Sequence, residues 1–543
     1  MTEPRGREAA ADAAEVGRCV GCGETETELR HGLCPDCWYA SDERPKPVRD
    51  RHAKLRRLRE LGVEPYAYSF DRSATLREAL DSYVGTGEGP EVRVAGRILS
   101  FRDMGGSAFA HIGDRSGRLQ VYFKRDRLPA EAVVVLDLLD LGDWVGARGP
   151  LFRTRTGEVT VRVEELTLLG KTLRPLPLGK EEITDSGERV VHSAFRDVES
   201  RYRQRYADLA VNPEVREIFQ LRARVISALR AALDARGFLE VETPILQPVY
   251  GGAYARPFTT YHKTLDRTLY LRIADELYLK RLIVGGLERV YEIGKDFRNE
   301  GMDRTHHPEF TMLELYQAYA DYREMMILAE ELVTEALQAA ERPSRIDYQG
   351  RAIDLSSPWR RLAFGDAMRE LAGIAPSETE TAELRRRVDE LEQPGADGMS
   401  RTKLLDTLFS ILVEPQLVDA TIVYDHPIEM SPLAKPKRGD PRLAERFEVI
   451  VAGMEIVNAF SELNDPIDQW RRFAAQARDR AAGDEQAQTL DEDYIRALEY
   501  GLPPTGGLGL GIDRLVMLLV DRPAIREVLL YPILRGDEGG AGR

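Results

Sequence analysis

The residues best suited to chemistry fall into two groups. The first is the chain's whole cysteine complement, Cys19, Cys22, Cys34 and Cys37. They form two Cys-x-x-Cys pairs with 11 residues between them. Two such pairs bring four thiolates together in the tetrahedral geometry that zinc prefers. Gly21, Gly23 and Gly32 ease the turns this requires. Two disulfides are the alternative, but the use of every cysteine in one cluster favours Zn²⁺. Four sulfur ligands leave no open coordination position, so the role expected is structural. A segment this short cannot bury a core of its own, and metal binding is expected to fold it.

The second group is charged and lies in the C-terminal two-thirds. Residues 289–300, RVYEIGKDFRNE, read as a strand ending in Arg298 and Glu300, and the strand expected over 308–316 places Phe310, Met312, Glu314 and Tyr316 on one face. Charges on a central strand need a ligand or each other, and a buried Arg–Glu pair is the competing reading. Gly507–Arg514 is glycine-rich but lacks the spacing and the βαβ context of a dinucleotide loop. A helix follows through Leu515, Val516, Leu518 and Leu519, which puts Arg514 in its first turn. A cation there opposes the helix dipole; a bound anion, or a carboxylate such as Asp513, relieves the conflict. Glu448, Glu455, Asn458, Phe460 and Glu462 fall on two adjoining strand stretches around Gly453. Carboxylates beside a phosphate site suit Mg²⁺ or a cationic substrate; charges that protect a sheet edge are the alternative. Glu276 and Lys280 read most simply as an i,i+4 pair on a solvated helix face.

The elements that must position these groups follow from periodicity. Residues 49–62 read as a basic helix stopped at Gly62. Val92, Val94 and Ile98, then Leu119, Val121 and Phe123, then Val159, Val161 and Val163 alternate with polar residues, as half-buried strands do. Short strands broken by glycines over 76–172 predict a small β-barrel. Phe109 and Gln120 fall on its outward face, near Arg97, where Phe109 is either a stacking platform for an unpaired base or a surface aromatic covered by another domain. Residues 173–205 are expected as a linker, and a long α+β region follows from 206 to 535, with a charged helical insertion over about 350–420. Residues 1–18 and 536–543 read as flexible tails.

Composition bounds the class. The chain has 543 residues, 43% hydrophobic and 31% charged, which excludes a wholly disordered or fibrous protein. Apolar runs such as Leu515–Val520 are too short to span a bilayer, and no secretory signal opens the chain, so a soluble cytoplasmic protein is expected. The net charge of −15 argues against a broad nucleic-acid surface. Residues 43–60, with eight Lys or Arg against three Asp or Glu, leave room for a local one.

Taken together, these segments resemble the class II aminoacyl-tRNA synthetases and, within them, the lysine-specific family. The stretches GGAYARPF (251–258), PEFTMLELYQAYADY (308–322), FSELND (460–465) and EYGLPPTGGLGLGIDR (499–514) carry the resemblance, together with Glu242-Thr-Pro244 and Phe297-Arg-Asn-Glu300. Arg272 to Lys280, RIADELYLK, sets the chain apart from the aspartate and asparagine enzymes. The resemblance implies an α+β protein. It has a zinc knuckle (19–40), a basic helix and lead-in (41–75), an OB-fold anticodon-binding barrel (76–172) and a catalytic domain built on an antiparallel sheet flanked by helices (206–535).

It implies ligation of L-lysine to tRNA(Lys) by a homodimer, with ATP consumed and a lysyl-adenylate intermediate. Arg298 and Arg514 would be catalytic. Arg298, Glu300, His306, Phe310 and Arg514 would hold ATP, and Glu448 and Glu455 would hold Mg²⁺. Gly252, Glu276, Glu314, Tyr316, Asn458 and Glu462 would hold lysine, and Phe109 and Gln120 would grip the anticodon. The chain departs from the family in its knuckle, and at Asp275, Tyr254, Val457 and His307. The alternative implied is a paralogue that activates lysine or an analogue for another acceptor.

Overall fold

A computed structural model describes residues 17–22, 25–26, 33–85, 87–183, 189–192, 195–393, 395–481 and 490–536. Residues 1–16, Gly23, Gly32 and most of the 536–543 tail, on which sequence expectations were placed, lie outside them. The chain divides into two units, Met1–Arg196 and Asp197–Arg543.

In the first unit, α1 (Pro35–Ala40) carries Cys37, and α2 (Lys46–Glu60) follows. Helix α2 is amphipathic, burying Val48, Leu55 and Leu58 and exposing Arg56, Arg57 and Arg59. Its Arg51 is buried as well, donating to the Leu141 carbonyl at 2.9 Å and the Thr172 hydroxyl at 2.7 Å. Gly62 ends the helix at φ +73°, a left-handed cap that a side chain would strain.

The barrel is β1 (Glu91–Asp103), β2 (Ser107–Gly113), β3 (Arg118–Lys124), β4 (Trp144–Arg153) and β5 (Val159–Val163). Strand β1 pairs with both β2 and β4, so the ring closes in the order β1-β2-β3-β5-β4. Alternate residues such as Val94, Ile112, Val121 and Val161 fill the interior. This is the small barrel that the alternation predicted, in the OB-type form that the resemblance implied.

The region 173–205 is more ordered than a linker. Lys180–Ile183 pairs with Arg189–His192, and Val198–Arg203 is helical. Arg205 is buried, held by Asp208 at 2.7 Å and by the carbonyls of Arg526, Leu529 and Leu530. These bonds fasten the start of the second unit to its end, so the unit begins before residue 206.

The second unit is organised by an eight-stranded sheet. Its strands are β6 (Leu239–Glu240), β7 (Arg289–Phe297), β8 (Glu309–Ala318), β9 (Arg360–Ala363), β10 (Thr421–Tyr424), β11 (Arg446–Val451), β12 (Met454–Ser461) and β13 (Thr505–Gly511). The order is β6-β7-β8-β13-β12-β11-β10-β9. The interior pairings are antiparallel, as expected, but both edge pairs, β6–β7 and β9–β10, are parallel. Strand β6 is only two residues long; Pro244, just beyond, has no N–H to extend the ladder.

Helices α3 (Pro213–Ala235) and α5 (Tyr322–Ala339) cover one face of this sheet. Leu221, Val225 and Leu229 meet Leu332, Leu508 and Leu510 there. On the other face α4 (Glu276–Val284) packs through Leu279 and Ile283. Strand β13 runs directly into α6 (Ile512–Leu519). The charged insertion is three helices (Phe364–Ala372, Thr381–Glu390 and Arg401–Leu412) with a core of their own around Leu384, Leu404 and Leu408. It starts later than 350, because 351–354 and 360–363 are strands.

Candidate active site

The glycine run is a strand, and that fact shapes the site. Along β13, Leu508 and Leu510 turn toward the helices, while Gly507, Gly509 and Gly511 turn to the opposite face and leave room there. A Cβ on Gly507 would lie 2.0 Å from Glu462 Oε1 and 2.6 Å from the Tyr316 ring; on Gly509 it would lie 3.1 Å from Glu314 Oε1. The glycines therefore floor a cavity of about 390 Å³. Its lining contains Gly252, Glu276, Arg298, Glu300, His306, Phe310, Glu314, Tyr316, Glu448, Glu455, Asn458 and Arg514. Among the second unit's candidate residues, Glu462 alone is absent from the lining, being fully buried beneath it.

One end of the cavity is cationic. Arg298 leaves the end of β7, donates to the Ile273 carbonyl at 3.3 Å, and lies 5.0 Å from the centre of the Phe310 ring. Arg514, in the first turn of α6, donates to the Glu455 carbonyl at 2.6 Å and meets His306 Nε2 at 3.0 Å. His306 in turn is held through Nδ1 by Asp303 at 2.8 Å.

The β11–β12 hairpin supplies the wall. It turns at Gly453, φ +75°, and its pairing shifts between Glu448–Asn458 and Ile450–Glu455. That bulge lets Glu455 and Asn458, three apart, face the same cavity. Burial would raise the Glu448 carboxyl, but Arg446 at 2.5 Å and His426 at 3.6 Å outweigh it and hold Glu448 at about 2. Burial and the neighbouring Glu448 push Glu455 the other way, upward. Two hard carboxylates in mutual repulsion beside a phosphate-sized space fit Mg²⁺, which binds through one or two carboxylates and keeps positions for phosphate oxygens.

The other end is acidic and closed. Gly252, at φ +92°, approaches α4 so closely that a Cβ would lie 3.3 Å from Glu276 Cβ. Tyr316 donates to Glu314 at 2.8 Å. Burial, then Glu276 and Asp296, raise Glu314 to about 8. Behind it Asp275, Asp296 and Glu314 lie within 4.8 Å of one another. Burial pushes Asp275 well up and Asp296 to about 6, and Arg272 offsets part of this from 3.2 Å.

The solvated-face reading of Glu276 and Lys280 is overturned. Both are buried, Lys280 completely, and its ammonium bridges Glu276 to Glu462. The i,i+4 spacing carries no information about which way α4 faces.

In the first unit, Phe109 and Gln120 do lie on the outer face of the barrel, with Ala108, Ala110, Leu119 and Val121 inward. Phe109 packs against Tyr122 with ring centres 4.7 Å apart and planes tilted by 36°, and Tyr122 meets Phe152 edge-on at 6.0 Å. Gln120 is held by Glu158 and Thr160, both at 2.8 Å. Arg97 is not beside Phe109: it lies over Trp144, and Arg102 pairs with Phe109 in the ladder.

The four cysteine sulfurs lie within 4.8 Å of one another, none in a disulfide. Cys22 and Cys34 are 3.7 Å apart, close to the edge of about 3.8 Å of a tetrahedron with zinc–sulfur bonds of about 2.3 Å. The Cys34 N–H donates to Cys19 at 3.2 Å and is the main reason its thiol falls to about 6. A Cβ on Gly21 would lie 2.9 Å from Cys37 Sγ. This donor set fits a structural Zn²⁺.

Residues 197–535 match the family model of class II tRNA synthetases for D, K and N, and residues 92–169 match the OB-fold nucleic acid binding domain. A lysine–tRNA ligase of Moorella thermoacetica is 51% identical over 492 residues, covering 90% of this chain and 97% of its own. Those of Carboxydothermus hydrogenoformans (49%, covering 90% and 98%) and Pelotomaculum thermopropionicum (50%, covering 90% and 95%) are similar to the same extent.

The chain belongs to the class II lysyl-tRNA synthetases.

Within this lysyl-tRNA synthetase fold, some residues in and behind the cavity wall have roles that the sequence reading did not give them. Arg446 bonds both Glu448 and Asn458, and its place two residues before Glu448 on one strand was the available signal. His426 and Lys280 carried none, because their burial depends on long-range packing. His307, a departure from the family, accepts from the Ile533 N–H at 2.8 Å and so ties the loop to the C-terminal segment. Replacing Gly507 by Ala is expected to destabilise the second unit by about 1–3 kcal/mol through overpacking against Glu462 and Tyr316. Calorimetric thermal unfolding measures this; a wild-type transition for Gly507→Ala would contradict the close-packed floor.

Proposed function

We propose that the chain activates L-lysine with ATP and transfers it to tRNA(Lys), working as a cytoplasmic homodimer. What carries this reading is one cavity with Arg298 and Arg514 at one end and Glu276, Glu314 and Glu462 at the other. The first end suits a polyphosphate and a carboxylate; the second suits two ammonium groups. No helix among the described residues is long and apolar enough to cross a membrane.

In the first step a lysine carboxylate oxygen attacks the α-phosphorus in line and pyrophosphate leaves. Arg298 bridges the lysine carboxylate and the α-phosphate, holding the attacking and accepting groups together. Phe310 stacks on the adenine, and Glu300 accepts from the adenine amino group. His306 and Arg514 neutralise the outer phosphates. Glu448 and Glu455 hold Mg²⁺, which when bound adds positive charge at the leaving phosphates. Glu276 and the Gly252 backbone take the lysine α-amine, while Glu462 and Tyr316, supported by Glu314, take the side-chain ammonium. Asn458 bonds the carboxylate. In the second step the terminal ribose hydroxyl of the tRNA attacks the mixed anhydride and AMP leaves. Neither step needs a protein nucleophile.

Phe109, with Tyr122 beneath it, stacks on a central anticodon base, and Gln120 bonds the base edge. The OB-fold match over 92–169 disfavours a paralogue that serves another acceptor. The four cysteines hold one structural Zn²⁺.

ATP–pyrophosphate exchange tests the core of this. Exchange is expected with lysine and not with aspartate or asparagine, and Arg298→Ala is expected to lower its rate by about a hundredfold or more. Exchange driven by another amino acid would overturn the assignment. Atomic absorption on the purified chain should give one zinc per chain, and none in Cys34→Ser.

The acid end predicts proton linkage. Glu314, raised to about 8, is mostly protonated in the empty site at neutral pH. A lysine ammonium favours its ionised form, so binding expels a proton below that value. The KM for lysine should fall as pH rises from about 6.5 toward 8. Titration calorimetry in buffers of different ionisation enthalpy should register proton release; its absence would contradict the proposed role of Glu314.

A further inference from the structure

Lys280 is a long cationic side chain with no solvent exposure, set among the groups assigned to the substrate. Its ammonium touches Glu276 Oε1 and Glu462 Oε2. It also lies 5.8 Å from the centre of the Tyr316 ring and 5.3 Å from that of Phe460. Both aromatic rings wall the cavity. The other oxygen of Glu462, Oε1, has no hydrogen-bond partner among the described residues. It points at Gly507, where an added Cβ would lie 2.0 Å away. Oε2 likewise has no hydrogen bond of good geometry and is engaged through its ion pair with Lys280, so Glu462 has one oxygen held by charge and one left over beneath the cavity floor.

The charges at this end are unequal. Glu276, Glu314 and Glu462 bring three carboxylates, and Lys280 brings the one ammonium in direct contact with them. With all three ionised, two negative charges are left, and lysine carries two ammonium groups. A buried carboxylate without a cation would take up a proton and cease to select for charge. Burial raises Glu276 and raises Glu462 well above the usual carboxylate range, and the Lys280 ammonium between them is the largest influence opposing that rise in the empty site.

We propose that Lys280 is a positioning residue for amino-acid selection, an internal ammonium that holds Glu276 and Glu462 as charged, aimed acceptors for the two ammonium groups of the substrate. This rests on the lysine reading above. Lys280 does not touch substrate; it acts through the two glutamates.

The groups facing this cluster come from each element around it. Helix α4 brings Glu276 and, just before it, Asp275. Strand β8 brings Glu314 and Tyr316, and β11 brings Arg446; burial raises Glu276, and Lys280 and then Arg446 offset part of that rise. Helix Glu492–Glu499 brings Tyr494. Burial raises both tyrosines, so they stay neutral at the pH values used below. The carboxylates and Lys280 are left as the groups that set the charge.

The test uses the full-length chain, with lysine-dependent ATP–pyrophosphate exchange from pH 6.5 to 8.5 for wild type, Lys280→Met and Lys280→Arg. Wild-type exchange with lysine checks the underlying reading separately; without it both fall. Lys280→Met is expected to raise the KM for lysine by roughly ten- to a hundredfold at pH 7, with kcat changed much less. The ratio of its KM to that of wild type should shrink as pH rises and the stranded carboxylates ionise. Its preference for lysine over the neutral isostere norleucine should drop by a similar factor. Lys280→Arg keeps the charge and should restore most of the affinity and the wild-type pH profile. Two results would overturn the proposal. One is a Lys280→Met KM at or below wild type, which would make Lys280 a competitor of the substrate. The other is a KM raised equally at every pH with selectivity over norleucine intact, the mark of a merely structural role. If Lys280→Met does not fold, Lys280→Arg decides: a folded variant with a pH-dependent loss of affinity also refutes it.

Discussion

Burying like charges side by side is the constraint around which the catalytic unit is built. A cavity that is to hold a cationic amino acid must collect carboxylates away from water, and each one resists ionising there. The structure meets this with fixed cations, placed on the same element as a carboxylate or on a neighbouring one. Lys280 serves Glu276 and Glu462, Arg446 serves Glu448, and Arg272 serves Glu292 and Asp296 at 2.6 and 3.2 Å. Removing one cation from such a network costs far more than a surface ion pair is worth, because it strands a buried charge. The antiparallel sheet makes the arrangement possible. It aims residues from β8, β11, β12 and β13 at one space while α3 and α5 hold its other face rigid.

The same logic separates the two ends of the cavity. At the Arg298 end the cations are held by single carbonyls, by His306 and by a longer ion pair from Arg514 to Glu455 at 3.7 Å. Positive charge is therefore available where phosphate charge arrives, with no reorganisation needed when it does. At the α4 end Lys280, Tyr316 and Arg272 engage the carboxylates from fixed directions, and Glu462 Oε1 is left without a hydrogen bond. Polyphosphate is met by open charge, and the amino acid by a closed and counted set of partners.

Much of this was legible in the sequence, for reasons that differ by element. The barrel strands announced themselves because period-two alternation reports one buried face, and Phe109 and Gln120 followed from the same parity. The cysteine spacing is local chemistry and needed no fold. Arg298, Glu314 and Arg514 could be listed, yet only the resemblance of long stretches joined them, since more than 200 residues of chain separate Glu300 from Arg514. What stayed hidden depended on distant packing. Lys280 reads as solvated from its helix alone, and it is Glu462, just past the end of β12, that shows it to be buried. Residues 173–205 looked like a linker because nothing local shows Arg205 reaching the carbonyls near residue 530. The parallel edge pairs depend on which strands end as neighbours, and no local pattern encodes that.

The glycines of β13 carry one more consequence. A strand whose cavity-facing positions are already glycine has reached the smallest residue available, and each of those positions can change only by filling the space. The floor is thus closed to gradual widening. Any lineage or engineer seeking room for a bulkier amino acid has to move the walls, Tyr254, Tyr316, Phe460 or the α4 carboxylates, where every substitution also disturbs charge. Breadth of substrate and integrity of the pocket are coupled here through the backbone, and drift toward promiscuity has few single steps open to it.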